Sequence, residues 1–243
     1  PAVTQDLIQP GKTFVYEYDV HQEGSFFLHP HVAMQEAIGM VVPFIVHPKV
    51  AFEPTVDRDF VLMTQQFSML PNAHIPNTVS MDWNFLTING RCGPYTTPLV
   101  CKLGERVRIR FLNFSTLHQH PMHLHGHTFW VTGTEGGRIP ETAWIPGNTV
   151  IVGVAQSRDV EGKHAAKMQM EKANDYNMPM TMEDMKKLTD RRETQGMREG
   201  WYKGVKGLFT VMRVLPPDLY DKLMTTDDPI PPNSSTPLNP HHA

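Results

Sequence analysis

The 243-residue sequence has only two cysteines, Cys92 and Cys101, too few for a disulfide scaffold or a cysteine-rich zinc site. No apolar run reaches the length of about 18 residues that predicts a membrane-spanning helix. Neither sign of charge dominates, because the chain has 22 Lys and Arg and 25 Asp and Glu. A net charge of -3 excludes a strongly basic nucleic-acid-binding surface. No charged and apolar leader precedes Pro1, so we expect a mature or shortened chain.

The two cysteines lie nine positions apart on either side of Gly93-Pro94. The default prediction is two free, buried thiols. A local disulfide between Cys92 and Cys101 is the alternative in an oxidising compartment.

Apolar residues recur with a period close to two from residue 13 to about 154, which predicts β-strands. One predicted strand places four side chains on one face: Phe14, Tyr16, Tyr18 and Val20. Another alternates Val107, Ile109 and Phe111 with Arg106, Arg108 and Arg110. Further short apolar runs occupy residues 41–46, 60–63, 128–132, 149–154 and 208–214, separated by turn residues. The pattern predicts an all-β protein of half-buried, antiparallel strands in β-sandwiches.

The chain divides into three predicted segments. A partial N-terminal domain covers residues 1–50, a second domain covers 51–216, and a Pro-rich tail covers 217–243. Within the second domain, residues 156–204 read as a Met-rich, partly helical insertion or lid. There Thr181 and Asp184 form a capping-box-like start for a helix with Met182, Met185 and Leu188 on one face.

Histidine is unusually abundant, with thirteen in the chain, and seven of them fall in two clusters. The clusters comprise His29 with His31, and His118, His120, His123, His125 and His127. In an extended backbone, the pairs His29-x-His31 and His123-x-His125 each place two imidazoles on one side. That geometry suits a metal, but copper, zinc, iron and nickel all bind imidazole. Isolated histidines, and the two at positions 241 and 242, carry no such signal.

The sequence His29-Pro-His31, followed by Met34-Gln35-Glu36 and Gly39-Met40, resembles the second histidine motif of multicopper oxidases. The segment from His120 to Phe129, HPMHLHGHTF, resembles their third motif. The resemblance covers roughly residues 1 to 160 and resumes near residue 205. It is closest to two-domain, laccase-like oxidases, and it implies cupredoxin-like Greek-key β-sandwiches.

The resemblance also implies roles for individual residues. His29, His31 and His125 correspond to type 3 copper ligands, His123 to the type 2 ligand and His120 to a type 1 ligand. His118 lies outside the motif, and His127 is not normally a ligand. The implied activity is oxidation of a phenolic or similar reducing substrate with dioxygen, in a periplasmic or secreted protein. A homo-oligomer, such as a trimer with copper sites between subunits, is also implied.

Two departures from the family pattern predict an incomplete copper set and weak activity. The first motif, a His-x-His, should lie upstream of Val3 and is not in this sequence. The fourth, a His-Cys-His, should follow Glu161, but neither Cys92 nor Cys101 has a flanking histidine. We therefore expect no blue copper site, which needs a thiolate between two histidines.

Two other functions remain open. A non-catalytic copper-binding or storage protein would use the clustered histidines together with Met168, Met170, Met178, Met180, Met182, Met185 and Met197, whose thioethers suit Cu(I). A cupin-type metal dioxygenase would use His29, His31 and Glu36, but the third-motif resemblance disfavours it. For Glu36 a surface carboxylate is the plainer interpretation.

Overall fold

The computed structural model describes residues 3–32, 34–163, 181–202 and 208–232. The strands are β1 (Gly24–Leu28), β2 (Val42–Val46), β3 (Arg58–Phe67), β4 (Phe85–Ile88), β5 (Leu99–Lys102), β6 (Arg106–Asn113), β7 (His120–His123), β8 (Phe129–Thr134), β9 (Gly137–Arg138), β10 (Ile145–Gly147), β11 (Thr149–Val152), β12 (Gln156–Lys163) and β13 (Met212–Leu215). The helices are α1 (Met182–Thr189) and α2 (Pro217–Thr225). The predicted all-β class is confirmed.

The central sheet has the strand order β10-β8-β12-β6-β3-β4, with β9 paired to β8. Strand β6 lies in its middle, antiparallel to β12 and parallel to β3. A second parallel pair joins β5 and β13. The expectation of uniformly antiparallel strands was therefore wrong at these two pairs.

The main core lies on one side of this sheet. Val107, Ile109 and Phe111 of β6 point into it, as the alternating pattern predicts. They pack against residues of β5, β11 and β13, including Cys101, Val152 and Met212. Two layers of strands therefore enclose the core, as in a β-sandwich.

The other side of the sheet is covered by the hairpin of β1 and β2. Phe27 and Ile45 of this hairpin pack on Met63 and Leu112 of the sheet. The hairpin leads directly into His29, so this packing fixes where the first histidine cluster lies.

Two arginines of β6, Arg108 and Arg110, are buried on the face opposite the main core, so the prediction of a half-buried strand was wrong. Arg108 and Arg110 are 8% and 3% exposed. Arg110 binds Asp59 at 2.7 Å and Asp159 at 3.1 Å, and Arg108 binds Glu161 at 2.7 Å. Alternation shows which residues share a face, but it does not show that a second layer will cover the polar one.

The hairpin joins this charged network through hydrogen bonds. Ser25 Oγ donates to Asp159 at 2.9 Å and accepts from Arg110 at 2.9 Å. Ser157 Oγ donates to the backbone carbonyl of Ser25 at 2.8 Å. Gly137 comes so close to the carbonyl oxygen of Glu23 that an added Cβ would lie 2.6 Å from it.

The predicted strand at Phe14 to Val20 does not form. Residues 12–23 have no regular secondary structure, and Phe14, Tyr16 and Tyr18 are 46%, 62% and 61% exposed. The Phe14 and Tyr16 rings contact each other at 4.7 Å between centroids. A strand needs a hydrogen-bonded neighbour, and the described residues place none beside this segment.

Residues 156–163, predicted as part of the Met-rich insertion, form β12 of the central sheet. Met168, Met170, Met178 and Met180 lie outside the described residues. Helix α1 starts with the predicted capping box between Thr181 and Asp184. Leu188 is buried and Met185 packs beside it, whereas Met182, at the start of the helix, is 80% exposed.

Part of the predicted Pro-rich tail is helical and packed. In α2, Tyr220 and Leu223 are buried against Val100 and Leu215. The predicted domain boundaries themselves remain predictions. Neither described helix is long and apolar enough to cross a membrane.

Candidate metal centre

The first histidine pair follows β1 directly. The imidazole centroids of His29 and His31 lie 4.7 Å apart. His29 is half-buried against the ring of Phe114, 4.9 Å away, whereas His31 is exposed. The Nδ1 atom of His29 is 2.9 Å from a carboxylate oxygen of Glu36, in the turn after the motif.

The second pair lies at the end of β7. The imidazole centroids of His123 and His125 are also 4.7 Å apart, and both side chains are exposed. In the ladder of β7 and β11, Thr149 stands directly opposite His123. Its hydroxyl oxygen is 2.7 Å from His123 Nδ1.

His120, at the start of β7, has a different environment. It is 8% exposed, and its Nε2 lies 2.6 Å from the hydroxyl of Ser115. Burial, together with the neighbouring His118, lowers the pKa of His120. The Nδ1 atom of His118 contacts Gln66 at 2.9 Å. Burial also lowers the pKa of His127.

Both histidine clusters approach the C-terminal end of β6. Phe114 follows that strand and contacts His29, and the preceding Asn113 donates a side-chain hydrogen bond to the carbonyl of His118 at 2.8 Å. Even so, no three His, Cys, Asp or Glu side chains of the described ranges stand close enough together to hold a metal ion. Within the described part of one chain, the two imidazoles of each pair are adjacent, but the two pairs do not form one metal site.

Both cysteines are free, as predicted, but Cys92 is half-buried rather than buried as expected. Cys101 is 0% exposed in the main core, and burial raises the pKa of its thiol to about 12. Burial also raises the pKa of the half-buried Cys92. A metal binds the thiolate form, so neither environment favours thiolate ligation.

The donor chemistry fits copper as two half-sites. Imidazole nitrogen suits copper, and each pair offers two adjacent rings. Hydrogen bonds at Nδ1 of His29 and His123 leave Nε2 of each ring to face a metal. Hydrogen bonding at the other ring nitrogen is the usual arrangement for a histidine that binds a metal.

Sequence reasoning missed several partners of these histidines. It treated Glu36 only as a surface carboxylate or as a cupin ligand, and it assigned nothing to Ser115 or Thr149. The partner of His123 depends on the register between β7 and β11, which a single sequence does not reveal. Glu36 lies seven positions after His29, and only the turn geometry shows that it folds back.

Two concave surfaces lie away from the histidine pairs. A narrow cavity between hairpin and sheet is lined by Arg108, Arg110 and Asp159. A more open cleft of about 310 Å³ is lined by Phe52, Arg138, Trp144 and neighbours. Neither is lined by a histidine, so the chemistry of the donor atoms identifies the candidate site better than concavity does.

Comparison with known proteins agrees with the motifs. Two family models, both described as multicopper oxidase, match residues 1–51 and 66–182. Multicopper oxidase MmcO of Mycobacterium tuberculosis is 27% identical over 190 residues, covering 63% of this chain and 36% of its own length. The chain spans about a third or less of the first curated relatives that it matches.

Solved structures show the same similarity. The blue copper oxidase from Nitrosomonas europaea is 30% identical with a TM-score of 0.58, covering 66% of this chain and 52% of that one. The multicopper oxidase mgLAC is 27% identical with a TM-score of 0.60, covering 69% and 55%. These similarities confirm the predicted cupredoxin-like fold. On motifs, fold and sequence alike, this chain belongs to the multicopper oxidase family, whose cofactor is copper.

Proposed function

We propose that this chain is a laccase-like, copper-dependent oxidoreductase that oxidises a phenolic or similar reducing substrate with dioxygen. The proposed ligands are His29, His31, His123 and His125, with His120 as a further ligand. The observation that carries the proposal is the pair of adjacent imidazoles at each motif, with centroids 4.7 Å apart in both.

In this proposal, neighbouring side chains of the same chain orient the histidines that bind the metal. Glu36 and Thr149 hold one ring of each pair by its Nδ1, and Phe114 limits the rotation of His29. When bound, copper supplies one-electron redox chemistry, which lets electrons from an organic substrate reach dioxygen. Exposure of His31 and His125 leaves room for further ligands.

We propose further that the sites are completed by association of chains, in a homo-oligomer such as a trimer. Two imidazoles are fewer than the three or four protein ligands that copper sites commonly use. Within the described part of one chain the two pairs do not form a single site. His31, His123 and His125 are exposed, so a second chain could contact them. The family resemblance also supports a periplasmic or secreted location.

The absence of a His-Cys-His from the sequence supports a smaller copper set than the family norm, with slow turnover. It equally supports a second candidate, a copper-binding or storage protein without turnover. The buried Cys101, with its raised pKa, is no substitute for the missing thiolate. Membership of the multicopper oxidase family leaves no support for a cupin-type dioxygenase.

Metal analysis and oxygen uptake test the proposal. Purified protein is loaded with copper, and the copper-to-protein ratio, the absorption spectrum and dioxygen uptake with a phenol or ABTS are measured. We expect bound copper, no intense blue band and slow uptake. The double variant His123→Ala, His125→Ala should lose both copper and uptake. His74→Ala, an exposed histidine outside both clusters, is the matched control and should lose neither.

The outcomes separate the candidates. Copper bound without oxygen uptake supports the storage function and contradicts the oxidase. Loss of copper in the control would contradict the ligand assignment. Light scattering of the loaded protein tests the oligomer, and a monomer with full copper would refute site completion by association.

A further inference from the structure

We infer that Glu36 and the Asn148–Thr149 pair are positioning residues, which hold His29 and His123 in the Nδ1-protonated tautomer so that each offers Nε2 to a metal. The inference rests on the proposed function for its metal, but the tautomers themselves are a property of the metal-free protein.

Glu36 fixes the direction of its hydrogen bond. An ionised carboxylate accepts hydrogen bonds and donates none. With Glu36 Oε2 at 2.9 Å from His29 Nδ1, the proton of a neutral His29 therefore lies on Nδ1. The ring of Phe114 packs on the imidazole of His29, at 4.9 Å between centroids, and opposes a 180° rotation of that imidazole.

At His123 the direction of the hydrogen bond is set by two connected hydrogen bonds. The hydroxyl of Thr149 donates its single proton to Oδ1 of Asn148, 3.1 Å away. Its oxygen can then only accept from His123 Nδ1, which lies 2.7 Å from it. The ladder of β7 and β11 sets Thr149 directly opposite His123, so the backbone holds this contact in register.

The two devices differ chemically but give the same result. One uses a carboxylate from a turn and the other uses a hydroxyl polarised by an amide. His120 provides an internal contrast, because its engaged nitrogen is Nε2, at 2.6 Å from Ser115.

The orientation of the Asn148 amide decides which tautomer His123 adopts. If its nitrogen faced Thr149, the hydroxyl would accept from Asn148 and donate to His123 Nδ1, and the proton would lie on Nε2. The inference therefore predicts one of two distinguishable tautomers for His123.

Nitrogen-15 NMR of the metal-free protein tests this directly. Long-range spectra recorded at about pH 8, where an unperturbed imidazole is neutral, report which ring nitrogen carries the proton. We expect protonated Nδ1 at His29 and His123. Protonated Nε2 at either histidine would overturn the role of its positioning residue, whether or not the protein binds copper.

Variants test the two positioning residues separately. Thr149→Val removes the acceptor with little change in size, and Glu36→Ala removes the carboxylate. We expect each to mix the tautomers of its own histidine and to weaken copper binding, measured by chelator competition, by about 10–100-fold. Thr149→Ser keeps the hydroxyl and should retain the tautomer of His123. Glu36→Gln replaces an acceptor-only carboxylate with an amide that can also donate, and it should leave the tautomer of His29 mixed. Thr142→Val, at an exposed threonine away from the histidines, should change neither measurement.

The readouts separate this inference from the proposed function. Fixed tautomers that respond to the variants, in a protein that binds no copper, would support the positioning roles and refute the copper site. Weakened copper binding with unchanged tautomers in both variants would refute the positioning roles and leave the copper site standing.

Discussion

Replacing Glu161 with glutamine tests how much the buried charged network on the central sheet stabilises the fold. The Glu161 side chain is 0% exposed, and it binds Arg106 at 3.1 Å, Arg108 at 2.7 Å and Arg138 at 2.6 Å. Glutamine has the same shape but no charge, so three guanidinium groups lose a shared counter-ion. Removing one partner from a buried ion pair costs about 3–5 kcal/mol, and we expect a loss of unfolding free energy in that range.

Urea unfolding followed by circular dichroism at neutral pH measures this loss. Glu183→Gln is the control, because Glu183 pairs with Lys187 on the exposed surface of α1, at 2.9 Å. Such a pair contributes little, so the control should match the parent protein. A loss below about 1 kcal/mol for Glu161→Gln would refute the reasoning, because it would make the buried network no stronger than a surface pair.

Glu161→Gln should also change how the stability of the protein depends on acidic pH. Burial alone would raise the pKa of Glu161, but hydrogen bonds from Arg138 and Arg108 outweigh burial and hold it below the usual value of 4.5. A lowered acidic pKa stabilises the fold above the unfolded-state value and loses that contribution as the pH falls through the folded-state value. The parent should therefore lose stability more steeply below pH 4.5 than Glu161→Gln does. Parallel pH profiles for the two proteins would contradict this assignment.

Two further predictions concern backbone packing and thiol reactivity. Gly137→Ala should cost about 1–3 kcal/mol, because Gly137 has φ +101 and the new Cβ would meet the carbonyl of Glu23, whereas Gly136→Ala, with open space around it, should be neutral in the same unfolding assay. At about pH 8, a thiol reagent should label Cys92 before unfolding and Cys101 only after it, because burial raises the pKa of Cys101 to about 12. Peptide mass spectrometry would contradict this by finding Cys101 labelled in the folded protein.

The fold was predictable from sequence where local signals and tertiary structure agree. Alternation along residues 106–111 located most of β6, and the pair Thr181 and Asp184 located the start of α1. The same reasoning failed at residues 12–23, because apolar alternation does not ensure a neighbouring strand. It also failed for Arg108 and Arg110, because strands far away in sequence supply the carboxylates that bury them.

For the candidate site, spacing predicted which imidazoles lie together but not how each ring is oriented. The His-x-His pattern sets two side chains on one side of an extended backbone, and both pairs show adjacent rings. Ring orientation depends on Glu36 and Thr149, whose contacts arise from a turn and from strand register. Local spacing also does not encode how far apart the two pairs lie in the fold.

The attachment of the hairpin by Ser25 also has a consequence for folding order. Ser25 and Asp159 are separated by 134 positions. During synthesis the segment carrying His29 and His31 emerges early, but its anchor becomes available only after β12 has left the ribosome. Contacts over such separations close slowly, so we expect the first histidine pair to settle late in folding. Metal offered to a nascent or partly refolded chain would meet those imidazoles before their orientation is fixed.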